Sequence, residues 1–248
     1  MGKKKSNKPL FVSFLLDETG SMQSIKDDTI GGFNAYLKEL QQGDGETLFS
    51  LVSFNSSRTA KRYVAEPIKA VKPLTEEDYR PNAMTPLIDA AVKIIKATDE
   101  AVESRTGDAD VVVVMQTDGQ ENVSVEYTSA DLALLVKEKE AAGWQFVFLG
   151  AGMDAFEAAR DAGLDLAAER VMSYGRDRSE KAFEVMAGKM RYYQQFRSSS
   201  ALDFTDEERE DVGDVFGPGR MDPGTARKKE REGRSKDRGR SSVDDFSL

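Results

Sequence analysis

Oxygen-bearing side chains recur at three separated points of this sequence. They belong to Asp17, Thr19, Ser21, Thr85 and Asp118. Carboxylates and hydroxyls are the ligands that small hard cations such as Mg²⁺ or Mn²⁺ take, in an octahedron with distances of about 2.0–2.1 Å. Two carboxylates would nearly neutralise the ion, and hydroxyls would complete its shell without adding charge. A remaining position would then be electrophilic and could accept a carboxylate from a partner protein.

Four nearly continuous apolar runs predict the strands that must position these side chains. They are residues 10–16, 47–54, 111–116 and 144–149. Runs of this kind are typical of strands buried on both faces of a parallel sheet. Residues 170–174 are a candidate for a further short strand. Residues 61–68 follow the second run after a short loop, so we expect them to pair antiparallel at a sheet edge.

Helical spacing of apolar residues falls between these strands. It covers residues 25–40, 86–102, 131–142, 153–162 and 179–195. Thr85 and Pro86 are expected to be the N-cap and the first residue of the second helix. The alternation predicts one α/β domain: a doubly wound, mostly parallel sheet with helices on both faces and one antiparallel edge strand. Ligands bind at the carboxyl ends of the strands in such sheets, and Asp17 and Asp118 follow two of them.

The composition limits the chemistry that the chain can perform. Its 248 residues include no cysteine and no histidine, which excludes disulfides, thiolate or imidazole metal ligands, cysteine nucleophiles and histidine bases. The net charge is −9 although both ends are basic, and so acidic a body disfavours nucleic acid as the main partner. No apolar run approaches the ~20 residues that span a bilayer. We therefore expect a cytoplasmic protein, or one of the host cytoplasm or virion if the source is viral.

Composition also divides the chain into segments. We expect a basic, disordered N-terminus over residues 1–8 and one folded domain over residues 9–197. A short helical extension is predicted over residues 198–216, where Thr-Asp-Glu-Glu supplies a helix start. Residues 217–248 contain mostly glycine, serine and charged side chains, so we expect a disordered basic tail there.

The three oxygen-bearing segments together resemble a known site. Asp-x-Thr-x-Ser, then a threonine before a helix, then an aspartate in Thr-Asp-Gly resemble the metal-ion-dependent adhesion site (MIDAS) of von Willebrand factor A (vWA) domains. The usual first motif is Asp-x-Ser-x-Ser, so Thr19 stands in for a serine and keeps the hydroxyl. The stretches "TPLIDA", "TDGQENVS" and "WQFVFLGA" are also similar to small bacterial and phage vWA proteins, including tellurite-resistance-type ones.

This resemblance covers roughly residues 9–196 and implies a function. The five oxygen-bearing residues would bind Mg²⁺ (or Mn²⁺), and an acidic residue of a protein partner would complete the metal shell. The resemblance further implies that Thr85 and Asp118 exchange direct and water-mediated coordination, coupled to movement of the last helix. Glu18, Gln120 and Glu121 lie beside these ligands in sequence, and we expect them to form a rim that shapes partner choice. No residue is assigned a catalytic role.

Two other functions stay open at the level of sequence. One is a structural or assembly component, for instance of a phage particle, in which the metal is incidental. The other is a metal-dependent phosphoryl-transfer enzyme of the haloacid-dehalogenase type, which expects a second aspartate where this chain has Thr19. Gly150-x-Gly152 after a late strand imitates a dinucleotide fingerprint. That fingerprint belongs to the first strand–helix turn, so we expect only a tight turn here.

Overall fold

The structure is a computed structural model that describes residues 8–105 and 107–218. The expectations for residues 1–7 and for the tail from residue 219 onward lie outside the described residues. The strands are β1 (Leu10–Asp17), β2 (Thr47–Asn55), β3 (Arg58–Pro67), β4 (Asp110–Thr117), β5 (Gln145–Ala151) and β6 (Val171–Tyr174). The helices are α1 (Lys26–Gln41), α2 (Leu87–Arg105), α3 (Ser129–Ala141), α4 (Ala155–Asp161), α5 (Ser179–Phe196) and α6 (Asp206–Asp211).

The described strands form one sheet in the order β3-β2-β1-β4-β5-β6. Every neighbouring pair is parallel except β2 and β3, which are antiparallel. The predicted doubly wound sheet with one antiparallel edge strand is therefore confirmed. The chain winds outward in one direction from β1 and in the other from β4, so the topology switches between these two strands. Open α/β sheets bind ligands in the crevice at such a switch point.

Strand β1 is buried along its whole length and supplies both cores of the domain. Phe14 and Leu16 belong to the core under α1 and α5, whereas Phe11 and Leu15 belong to the core under α2, α3 and α4. Side chains alternate between the faces of a strand, so a slip of one residue would exchange the two sets. The packing therefore fixes the register of β1 and, with it, the position of Asp17 at the end of the strand.

The segment that follows α5 packs back onto the domain. Leu202 and Val212 are fully buried in the core under α1 and α5. Thr205 starts the short helix α6 with a capping box, as its sequence predicts. The backbone N–H of Gly175 donates to the carbonyl of Val212 at 2.9 Å. The extension thus supports the loop between β6 and α5.

Two further observations bear on function. In residues 8–105 and 107–218, no helix combines the length and the apolar character that a membrane span requires.

A Cβ atom placed on Gly150 would lie 2.6 Å from the Cβ of Ala155, so this glycine lets α4 approach the end of β5 closely. This close packing explains the first glycine of the Gly150-x-Gly152 pattern without any need for a bound dinucleotide.

Candidate metal centre

The three predicted metal-binding segments meet at the switch point. Pairing of β1 with β4 sets Leu16 opposite Gln116, so Asp17, the last residue of β1, and Asp118, the first residue after β4, lie at adjacent strand ends. Ser21 Oγ donates to Oδ1 of Asp118 at 2.5 Å, which joins the first segment to the third. The hydroxyls of Thr19 and Ser21 lie 3.2 Å apart.

The hydroxyl of Thr85 lies close to Gly119, beside the hydroxyl of Ser21. A Cβ atom placed on Gly119 would lie 3.2 Å from Thr85 Oγ1 and 3.8 Å from Ser21 Oγ. The hydroxyls of the first and second segments therefore flank the same glycine. Of the five predicted ligands only Ser21 is exposed; the other four are buried.

The carboxylate of Asp17 is fully buried and held from two sides. Its Oδ1 accepts the backbone N–H of Thr19 at 2.7 Å, and its Oδ2 accepts the hydroxyl of Thr117 at 2.5 Å. Burial raises the pKa of Asp17 to about 6, the two threonines partly offset this rise, and the charge of Asp118 adds to it. A bound cation would stabilise the ionised form of this carboxyl.

The donor set fits a hard divalent ion. Within the part of the chain that the structure describes, no three histidine, cysteine, aspartate or glutamate side chains cluster as metal ligands. The two carboxylates therefore need the three hydroxyls to make a shell, together with water or an outside ligand. Mixed shells with few protein oxygens are what Mg²⁺ takes, because it gives up water reluctantly.

Side chains of the third segment, and not Thr85, accept N–H groups in the first turn of helix α2. The helix begins at Leu87, and the carbonyl of Pro86 accepts its first bond, so the expected N-cap role of Thr85 is wrong. Glu121 Oε2 accepts the N–H of Ile88 at 2.8 Å, and Ser124 Oγ accepts the next N–H of the helix. A cap supplied from the third loop leaves the threonine hydroxyl free of that task.

Glu18 does not lie on a rim. Its side chain is fully buried, with Oε1 at 2.6 Å from Arg58 Nη2 and 2.7 Å from the backbone nitrogen of Arg80. Its Oε2 accepts the hydroxyl of Ser53 at 2.7 Å. The carboxylate therefore ties the first predicted metal-binding segment to β2, β3 and the segment before α2, which corrects the expectation of a partner-facing residue.

The other two predicted rim residues differ from each other. Gln120 is exposed beside Asp118, as a rim residue requires. Glu121 is only partly exposed, and both of its oxygens accept hydrogen bonds from α2 or from Val123 and Ser124. Glu121 therefore connects the start of α2 to its own loop, and its carboxylate is not free to face a partner on the rim.

Three residues that sequence reasoning missed contact the predicted metal-binding segments. Thr117 binds Asp17, and the hydroxyl of Tyr79 donates to the backbone carbonyl of Asp17. Arg176 Nη2 lies 2.8 Å from Oδ2 of Asp118. Register could have found Thr117, because parallel pairing of β1 with β4 sets the two strand ends side by side. The other two side chains come from loops whose course the sequence does not indicate.

Comparison with known proteins identifies the fold. No protein-family model matches the sequence, and no curated protein matches it. Proximal thread matrix protein 1 from the mussel byssus, in a structure with a zinc-occupied MIDAS motif, is 17% identical with a TM-score of 0.52. The pilus adhesin SpaC from Lactobacillus rhamnosus GG, in an open conformation, is 12% identical with a TM-score of 0.57.

The alignments cover 76% and 77% of this chain but only 46% and 31% of those two proteins, so the chain spans less than half of their length. At such low identity the similarity establishes the fold alone. Neither similarity singles out the small bacterial or phage type that the sequence resembles. The described chain has the mostly parallel, doubly wound α/β fold of vWA domains.

Proposed function

We propose that this protein is a metal-dependent protein-binding module of the vWA type. Its five oxygen ligands hold Mg²⁺ or Mn²⁺, and an acidic side chain of a partner protein completes the metal shell. The observation that carries this proposal is the meeting of Asp17, Ser21 and Asp118 at the switch point of the sheet, with Thr85 across Gly119.

The residues have distinct tasks in this function. Asp17 and Asp118 supply negative charge from positions fixed by the ends of β1 and β4. Thr19, Ser21 and Thr85 supply neutral oxygens. The ion, when bound, supplies an electrophilic position that a carboxylate can fill. The hydrogen bond from Ser21 to Asp118 links the first and third loops, so their positions depend on each other.

The surroundings of the site suit an acidic partner. Gln120 and Met84 are exposed on the loops that carry Asp118 and Thr85, and Met84 is 51% exposed. Arg176 adds a positive charge at Asp118, whereas Glu18 is buried inside the fold. A carboxylate flanked by apolar or neutral residues would therefore meet little repulsion around the metal.

We assign the site to binding and not to catalysis. The chain has no histidine or cysteine that could act as base or nucleophile. A phosphoryl-transfer site of the haloacid-dehalogenase type would need a carboxylate two residues after Asp17, where Thr19 stands. The structure of the mussel protein with a zinc-occupied MIDAS motif supports metal binding on this fold. A cytoplasmic place of action and a bacterial or phage source are part of the same proposal and rest on sequence.

Metal titration and partner capture together test the function. Isothermal titration with Mg²⁺ and Mn²⁺ is expected to show one site that Asp17→Ala abolishes. Asp161→Ala, which removes an exposed aspartate at the end of α4, serves as the matched control and is expected to leave binding unchanged. Affinity capture from the native host should recover partners in Mg²⁺ and lose them in chelator or with Asp17→Ala. Recovery of the same partners under all conditions would contradict the proposal.

A further inference from the structure

Arg176 connects the last part of the fold to the metal site. It opens the short 3-10 turn Arg176–Arg178 between β6 and α5. Its Nη1 donates to Ser24 Oγ at 2.8 Å and to the carbonyl of Ser21 at 3.3 Å. Its Nη2 lies 2.8 Å from Oδ2 of Asp118. One guanidinium therefore contacts both the first and the third metal loops.

The Arg176 side chain packs against a glycine whose lack of a side chain makes room for it. It runs over Gly152, where a Cβ atom would lie 2.7 Å from Cγ and 2.9 Å from Nε of Arg176. Gly152 also has a φ of +66°, a conformation that favours glycine. This second glycine of the turn after β5 thus makes room for the arginine, which is a reason for the Gly-x-Gly pattern that has no connection with a dinucleotide.

The arginine covers the carboxylate that it contacts. The Asp118 side chain is fully buried, whereas Arg176 stays 39% exposed. Oδ1 of Asp118 accepts the hydroxyl of Ser21, but Oδ2 is buried without a hydrogen bond, because the approach of Nη2 makes an ion pair outside hydrogen-bond geometry. Oδ2 therefore has a nearby positive charge and an unused lone pair.

We propose that Arg176 is a built-in competitor of the divalent ion at Asp118. A guanidinium is permanently charged, so it neutralises this carboxylate in the metal-free protein at any ordinary pH. The ion must share or displace that interaction when it binds, and Arg176 therefore lowers the affinity of the site for metal. This inference rests on the proposed function, since it concerns the same metal site.

The test compares charge removal at two arginines of the same turn. Mn²⁺ alone is titrated calorimetrically into the full chain as wild type, Arg176→Gln, Arg176→Lys and Arg178→Gln. Arg178 is exposed and pairs with Asp177, so its variant removes the same charge away from the contact with Asp118. Arg176→Gln is expected to bind Mn²⁺ about tenfold more tightly or better, which is the size of the effect that one opposite charge has on proton binding by a neighbouring carboxylate. Arg176→Lys should fall between, and Arg178→Gln should match the wild type.

Thermal unfolding separates competition from a purely structural role. Arg176→Gln is expected to melt at a lower temperature in chelator and to gain more from added Mn²⁺ than the wild type does. If Arg176 only braced the loops, its loss would lower stability and weaken metal binding together. Mn²⁺ affinity of Arg176→Gln that equals or falls below the wild-type value would overturn the inference. Unchanged binding in Asp17→Ala would overturn the proposed function instead, and absence of binding in both the wild type and Arg176→Gln would overturn both.

Discussion

Thr117 donates its hydroxyl hydrogen to Oδ2 of Asp17 across the junction of β4 and β1, at 2.5 Å. Thr117, the last residue of β4, thus holds the carboxylate of Asp17, the last residue of β1. Thr117 also directly precedes Asp118 in the chain. The backbone N–H of Gly119 donates to the same hydroxyl at 3.1 Å. The first and third of the proposed metal-binding loops are therefore joined beneath the proposed ligands as well as between them.

Thr117→Val keeps the shape of this side chain and removes its hydroxyl. We expect a loss of about 1–3 kcal/mol in the free energy of unfolding, because a buried carboxylate oxygen loses its donor. Metal affinity should fall as well, since Asp17 is less firmly oriented. Urea denaturation and calorimetric titration with Mn²⁺ measure the two effects. Thr98→Val, which removes a buried hydroxyl bonded to Ser13 and to the carbonyl of Ile94, should lower stability without changing metal affinity.

The stability of the metal-free protein should depend on the ionisation of Asp17. Burial raises its pKa from 3.8 to about 6, so the folded state binds more protons than the unfolded state between these values. The contribution of Asp17 to stability is therefore favourable at low pH and lost as the pH rises through about 6, by up to about 3 kcal/mol. Asp17→Asn does not titrate and is the reference. In chelator, the wild type should lose free energy of unfolding relative to this variant between pH 4.5 and 7.5, and Mg²⁺ should reduce that loss at pH 7.5. A difference independent of pH would contradict the assignment.

Glu18→Gln tests whether this residue braces the fold. Its carboxylate is fully buried against Arg58 and Arg62, of which Arg58 is about half exposed. The substitution leaves Arg58 without this counter-charge and leaves Arg62 with only Asp78, at 3.6 Å. We therefore expect a loss of about 2–4 kcal/mol in the free energy of unfolding, somewhat below the value for fully buried pairs. Chemical denaturation measures it. The exposed variant Gln120→Ala should change stability by less than about 0.5 kcal/mol. Normal stability of Glu18→Gln combined with loss of partner binding would restore the rim role.

Gly119→Ala should weaken metal binding with little effect on folding. The added methyl group would lie 3.2 Å from Thr85 Oγ1 and would spread the hydroxyls that flank this glycine. We expect about tenfold weaker Mn²⁺ binding in calorimetric titration, which corresponds to about 1.4 kcal/mol. Gly188→Ala provides the contrast, because a Cβ there meets nothing within 4 Å inside helix α5. That variant should gain about 0.5–1 kcal/mol in stability and keep its metal affinity.

The sequence predicts the fold well because the strands of this sheet are buried on both faces. An uninterrupted apolar run is a strong local signal, and β1 exceeds its predicted range of 10–16 by one residue. The strand β3, which lies at the edge and is mostly exposed, begins at Arg58, three residues before its predicted start. Its side chains alternate irregularly between water and protein, so its pattern is weaker.

The site is predictable only as far as strand ends are. Asp17 and Asp118 follow from the ends of β1 and β4, whereas the surroundings of the ligands depend on long-range contacts. Nothing local distinguishes the buried Glu18 from the exposed Gln120, because the partner of Glu18 lies 40 residues away at Arg58. The contact of Arg176 with Asp118 depends on how the loop after β6 crosses the sheet edge. Such crossings are set by tertiary packing.

The hydrogen bond between Gly175 and Val212 bears on how the protein can be shortened. Residue 197 looks like a natural end of the domain, yet truncation there would remove the carbonyl that anchors the residue before Arg176. It would also strip Leu202 from the core and delete the buried pair of Arg209 and Asp214. The shortest piece that keeps the metal-site loops intact therefore extends to about Gly217, whose N–H binds Asp214. A shortened protein for crystallisation or binding studies is best ended beyond that glycine.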